Sequence, residues 1–284
     1  MKKKEDANQE NVLNVANPTV LTKNNNLKIF LENIYLKFSA DEYLGTDPII
    51  YPKTYKGDTE YIAFISSLFA YGRVPLIQKF LNEFFEQYGS IPVKKNIIKK
   101  KLYYRFQTGN DIYILVKFLA NIYKDYGSIE NCFFSLSENL EEGLKHFINK
   151  AHNFGINNNA GNGYFFLFPV YGKSALKRMR MFLRWMVRDT DIDFGLWKKF
   201  DKSELLFPLD THIIRFSRNL KLISSSSGTH KNAVSVTNFF KNIEPADPLK
   251  YDFPITRLGI TGGCNYSSSL KCNKCNEADF CPFI

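Results

Sequence analysis

Four cysteines near the C-terminal end, Cys264, Cys272, Cys275 and Cys281, follow the spacing C-x7-C-x2-C-x5-C, with Pro282 directly after the last. A Cys-x2-Cys pair lets one tight turn deliver two thiolates to a single metal centre, and the two outer cysteines complete a tetrahedral set. Four thiolates suit either zinc or an iron–sulfur cluster, and ligand type alone does not choose between them. Zinc ribbons usually carry two Cys-x2-Cys knuckles split by a longer spacer, whereas this segment has a single such pair. Cys132 stands apart and reads as core filler.

Two further segments carry chemistry. Ser174 to Arg188 (SALKRMRMFLRWMVR) places Ala175, Leu176, Met179, Phe182, Leu183 and Met186 at helical spacing, a stripe suited to a buried face. Lys177, Arg180, Arg184 and Arg188 recur at steps of three and four on another face, uninterrupted by acids. A face of one sign predicts phosphate contact. Gly172, Lys173 and Ser174 precede this helix as a short turn, where backbone N–H groups at a helix N-terminus can receive a phosphate. The second segment is Leu209-Asp210-Thr211-His212-Ile213-Ile214-Arg215, in which Asp210 reads as a helix cap. A capping carboxylate is also rigidly held, so the cap and a catalytic role are compatible. His212 has no clustered ligand beside it and reads as structural.

The elements that must position these groups are helical. Leu27 to Phe38 has apolar residues at helical spacing, and Glu60 to Ala70 is nearly apolar all round, with Asp58 or Thr59 as its cap. Further helical patterns cover residues 75–88, 92–104, 110–126, 128–135 and 138–152. Strand-like alternation is scarce, so the expected fold class is all-α. Residues 1–26, rich in Asn, Glu and Lys, read as a disordered polar tail, and 153–163 and 224–228 as loops. Aromatic residues make up 15% of the chain and are assigned mainly to core packing. A net charge of +10 favours polyanionic partners, because clustered Lys and Arg attract phosphates and release counterions. No apolar run follows the opening Met1-Lys2-Lys3-Lys4, and Tyr61 to Tyr71 is too short to span a bilayer. The expectation is therefore a cytoplasmic chain with no membrane span, a compartment where clustered cysteines bind metal in preference to forming disulfides.

The cysteine spacing resembles the cluster loop of endonuclease III and related adenine glycosylases, in which the first gap is one residue shorter. Leu-Asp-Thr-His followed by two aliphatics and Arg resembles the Val-Asp-Thr-His segment of the helix-hairpin-helix glycosylase superfamily, and the turn Phe168 to Ser174 resembles a degenerate form of its hairpin. The phrases FISSLFAYGRV, LYYRFQ, LKRMRMFLRWMVR, DFGLWK, PLDTHI and DPLKYDFPITRLGI are similar to an uncharacterised bacterial family of conserved hypothetical proteins, itself distantly similar to archaeal 8-oxoguanine glycosylase.

The resemblance implies a two-lobed glycosylase-like fold. Residues 58–185 would form a helical barrel lobe ending in the hairpin. Residues 27–57 and 186–284 would form a second lobe with the cysteine loop at 264–281. It implies that the cluster is 4Fe-4S, with zinc as the alternative, and that Lys271 and Lys274 in the loop help grip DNA. It implies a DNA base-excision N-glycosylase with abasic-site lyase activity, with Lys177 as nucleophile, Lys173 as its fallback and Asp210 as the carboxylate that stabilises the cationic sugar. Arg73, Tyr71 or Gln107 would fill the gap left by a flipped base. The expected partner is DNA in the nucleoid, with no protein partner and a monomeric chain. The competing reading is a non-catalytic iron–sulfur protein that binds nucleic acid on the same fold.

Overall fold

Polar caps written into the sequence set where half of the helices begin. The computed structural model describes residues 18–39, 41–92, 97–269, 272–273, 275 and 278–284. Among these residues the chain forms twelve α-helices and no strand: α1 (Pro18–Phe38), α2 (Ile50–Thr54), α3 (Thr59–Leu68), α4 (Val74–Tyr88), α5 (Gly109–Tyr126), α6 (Ile129–Leu136), α7 (Leu140–Asn157), α8 (Asn162–Leu167), α9 (Lys177–Val187), α10 (Thr211–Asn219), α11 (His230–Lys241) and α12 (Asp252–Ile260). Asp58 caps α3 through Tyr61 N, Ser128 caps α6 through Asn131 N, and Thr108 and Asp111 form a reciprocal capping box on α5. No described helix is long and apolar enough to cross a membrane.

Two helices buried on nearly every side, α3 and α9, pack against each other at the centre. From α3, the buried Glu60 accepts hydrogen bonds from Ile129 N (2.8 Å) and Glu130 N (2.9 Å), which start α6. The same carboxylate accepts from Tyr123 Oη (2.9 Å) and Trp197 Nε1 (2.7 Å). Four donors offset much of the cost of burying one charge, although burial still raises its pKa. On α1, Leu27, Phe30, Leu31, Ile34 and Phe38 are buried at helical spacing, and this helix packs on α12. Glu32 fastens α1 to the turn before α12 by accepting from Lys250 Nζ (2.8 Å) and Tyr251 Oη (2.6 Å). One hydrophobic cluster runs from Leu27 to Tyr266.

Three expectations change. Helix α1 begins at Pro18, inside the stretch read as a tail, of which residues 1–17 lie outside the described residues. The helix expected over 92–104 does not form across 97–104. Leu102 and Tyr104 are buried with Tyr103 exposed between them, the two-residue alternation of an extended chain. Tyr104 and Gln107 then close a tight bridge around Arg105, whose φ is +50°. The loop read over 153–163 narrows to residues 158–161, because Gly155 keeps α7 helical while the Tyr164 ring lies against it; an added Cβ would stand 2.6 Å from that ring.

Candidate active site

Helical spacing on two walls builds a cleft of about 670 Å³. From α9, Lys177, Met181 and Trp185 stand four residues apart and share one face. From α12, Asp252, Thr256 and Ile260 do the same. Burial deepens along α9 from half-buried Lys177 to Trp185 and fades along α12 from buried Asp252 to Ile260, which is 47% exposed. The mouth therefore holds Lys177 and Ile260, and the floor holds Trp185 and Asp252. Arg184 ties the floor together by donating from Nη1 to Asp252 Oδ2 (2.6 Å).

Asp210 enters the cleft from the start of α10. Its Oδ1 accepts from His212 N and Ile213 N (both 2.8 Å), and its Oδ2 accepts from Thr256 Oγ1 (3.1 Å). Three donors hold one carboxylate in a fixed orientation. Burial raises the Asp252 pKa to about 6, with Arg184 opposing the rise and the nearby charge of Asp210 adding to it. Lys177 forms no hydrogen bond or ion pair among the described residues. Its helix starts without a side-chain cap, since Leu176 precedes it with φ +50°, so the positive end of α9 is uncovered beside the cleft.

An arginine and two rings form the rim. The Arg178 guanidinium lies 4.9 Å from the Tyr71 ring and 4.7 Å from the Phe166 ring, and donates to Leu68 O and Phe166 O. Burial lowers its pKa to about 10. Gly72 turns the chain at this rim with φ +106°, and a Cβ there would meet Arg105 Nη1 at 2.5 Å.

Over residues 47–261 the chain matches the family described as protein of unknown function (DUF2400). It is a member of the DUF2400 family. Every residue lining the cleft, from Asp47 to Ile260, falls inside the DUF2400 match, whereas the four clustered cysteines begin three residues past its end. No curated protein and no solved structure matches the chain.

Within this DUF2400 chain the expected site residues separate. Lys177 and Asp210 line the one cleft. Lys173 is exposed on the turn before α9 and does not line it, and Gly172 and Ser174 sit on the same turn. Several of the backbone groups expected to receive a phosphate there are engaged: Ala175 N donates to Gly228 O (2.7 Å) and Leu176 N to Ser174 Oγ (3.0 Å). Arg73 is exposed beside the rim, Tyr71 lines it, and Gln107 is fully buried, donating to Gly163 O (2.8 Å), so it is not available to fill a gap in DNA. His212 packs where Gly259 leaves room, since a Cβ on Gly259 would stand 2.1 Å from His212 Nδ1.

The arginine face is corrected. Arg180, Arg184 and Arg188 are 1%, 5% and 2% exposed, with no reach to a phosphate. Arg180 pairs with Glu141 (2.7 Å), Arg184 with Asp252 (2.6 Å) and Asp193 (3.2 Å), and Arg188 with Asp191 (2.6 Å), Asp247 (2.9 Å) and Asp193 (3.0 Å). Their charge is consumed inside the protein, because a buried cation needs a close counterion. Residues missed from the sequence are Trp185, Asp252 and Arg178; a test for four-residue spacing of mixed polar and apolar types would have flagged the first two.

The four thiols follow α12. Burial raises the pKa of Cys264 and of Cys281, and the charges of Cys272 and Cys275 raise both further. As they stand, no three His, Cys, Asp or Glu side chains among the described residues are grouped closely enough to hold a metal ion. Lys271 and Lys274 lie outside the described residues.

Proposed function

We propose that this protein is a DNA N-glycosylase with abasic-site lyase activity that removes a damaged base from duplex DNA. The observation that carries the reading is that Lys177 and Asp210, from separate helices, line one cleft, the amine unpaired and the carboxylate fixed by three donors. A flipped nucleotide entering at the mouth meets Lys177 first and places its base toward the floor. The neutral amine attacks C1′ as the C1′–N bond to the base breaks, and the base leaves with that electron pair. Asp210 stabilises the cationic sugar, and the proton lost from the new aminium neutralises the departing base. Opening of the sugar ring gives a Schiff base, from which loss of a C2′ proton expels the 3′ phosphate.

Cys264, Cys272, Cys275 and Cys281 are the residues that would hold a 4Fe-4S cluster, with zinc as the alternative. A bound metal centre would supply a fixed frame for the loop that carries Lys271 and Lys274. Broad visible absorbance lost in Cys264→Ser distinguishes iron–sulfur from zinc. The reading has the protein acting as a monomer at the nucleoid, without a protein partner.

Borohydride trapping on abasic duplex DNA tests the chemistry. The wild type and Lys173→Ala are expected to form a covalent adduct and Lys177→Ala to form none; an adduct that persists in Lys177→Ala overturns the assignment. Duplex binding without trapping by the wild type would instead establish the competing reading, a non-catalytic nucleic-acid-binding protein.

A further inference from the structure

The two indoles of the chain are treated differently by the fold. Trp197 Nε1 donates to Glu60 (2.7 Å), whereas Trp185 Nε1, on a side chain 0% exposed, has no hydrogen-bond partner. A buried N–H without an acceptor is costly, and such groups are usually paired. Trp185 also lines the cleft, two turns below Lys177 on the same face of α9 and on the floor with Asp252. The costly group thus belongs to a residue of the cleft wall, just beneath its surface.

We infer that Trp185 Nε1–H is the donor that reads the base in this cleft, and that the base bound there presents a carbonyl oxygen to the floor. This rests on the reading of the cleft as a base pocket. Met181, one turn above on the same face and also lining the cleft, is adaptable in shape, and its rotation would open the indole edge to a ligand. Asp252, which lines the floor as well, would supply the complementary acceptor, so the recognised edge is a carbonyl next to a ring N–H. A base lacking the carbonyl leaves the donor unpaired and gains nothing from that edge. Selection of this kind is stronger than selection by size, because the penalty falls on the wrong ligand.

Two measurements decide it. In the first, Trp185→Phe is compared with wild type for excision of carbonyl-bearing lesions and for borohydride trapping on abasic DNA, which has no base to read. The ratio of excision to trapping is expected to fall by about tenfold or more, the loss of one buried hydrogen bond. An unchanged ratio overturns the inference. In the second, the two indole N–H resonances of the wild type are followed during titration with hypoxanthine and with purine, which lacks the carbonyl. The Trp185 resonance is expected to move with hypoxanthine and stay with purine, while the Trp197 resonance, held by Glu60, reports an intact fold. Stillness with both bases overturns the inference. If the wild type traps no abasic DNA, the assignment of Lys177 falls separately, and the indole titration alone decides the donor role of Trp185.

Discussion

The cations of α9 recur along one face of the helix and meet opposite fates. Farther along it, Arg180, Arg184 and Arg188 are buried and each meets at least one carboxylate. At its first residue, Lys177 opens into the cleft with no counterion among the described residues. A paired, desolvated cation serves the fold, and its removal strands the acids that faced it. An unpaired cation at a cleft mouth contributes little to stability and remains available to a ligand. Stability and the proposed DNA chemistry should therefore separate between the arginines and Lys177, and each substitution below tests that separation.

Arg188→Ala has the largest expected effect. It leaves Asp247, Asp191 and the fully buried side chain of Asp193 short of a partner, with only Arg184 left to Asp193. Breaking a buried pair of this kind costs about 3–5 kcal/mol. Chemical denaturation reads the loss directly, and a drop in Tm of roughly ten degrees should accompany it. A variant as stable as the wild type with weakened DNA binding would return this face to phosphate contact.

Asp252 belongs to both the ion-pair network and the cleft, bonded to Arg184 and lining the cavity. Its folded pKa is raised from 3.8 to about 6, so between these values the folded state holds a proton that the unfolded state releases. Stability from this group is present below pH 3.8 and lost as pH rises through about 6. Relative to Asp252→Asn, which does not titrate, the wild type should lose up to about 3 kcal/mol across that window. Denaturation midpoints of the two proteins at a series of pH values check the sign, and parallel curves would show that Asp252 ionises as it does in the unfolded chain.

What the sequence made legible was local. Asp58 and Asp210 announce their helices by residue type and position, and the apolar stripe of α9 is buried as its spacing requires. The fate of the arginines was not legible, because Glu141, Asp247 and Asp252 lie 39, 59 and 68 residues from the cations they neutralise. A nearer signal existed in Asp191 and Asp193, which follow the helix at once and fold back on Arg188. The cleft stripes escaped hydrophobic periodicity since each mixes types: an amine, a thioether and an indole on α9, an acid, a hydroxyl and an aliphatic on α12. The extended run through Leu102 and Tyr104 was misread for a related reason: Tyr88 and Tyr71, both distant in sequence, accept from Lys100 N and Tyr104 Oη and pin it.

Gly259→Ala probes the wall opposite α9. The added Cβ would meet His212 Nδ1 at 2.1 Å and Tyr266 Oη at 2.3 Å, forcing α12 away from α10. Overpacking of this size costs about 1–3 kcal/mol. Because Thr256 donates to Asp210 across the same contact, trapping on abasic DNA should weaken along with stability. Loss of stability with undiminished trapping would mean that the Asp210 carboxylate does not depend on α12 for its orientation.

Lys177→Ala should have the smallest effect on stability and the largest on chemistry. The side chain is half-buried and bonded to nothing among the described residues, so truncation removes little packing and strands no partner. A change within about 0.5 kcal/mol is expected, as for surface substitutions away from special features. The comparison with Arg188→Ala is then sharp, since two cations on one helix differ several-fold in what they give the fold. A strongly destabilised Lys177→Ala would show that the amine has a structural partner after all, and lost trapping in that variant would no longer identify a nucleophile. Lys177→Arg adds the control: it keeps the charge but cannot form a Schiff base, so it should fold, bind abasic DNA and leave no borohydride adduct.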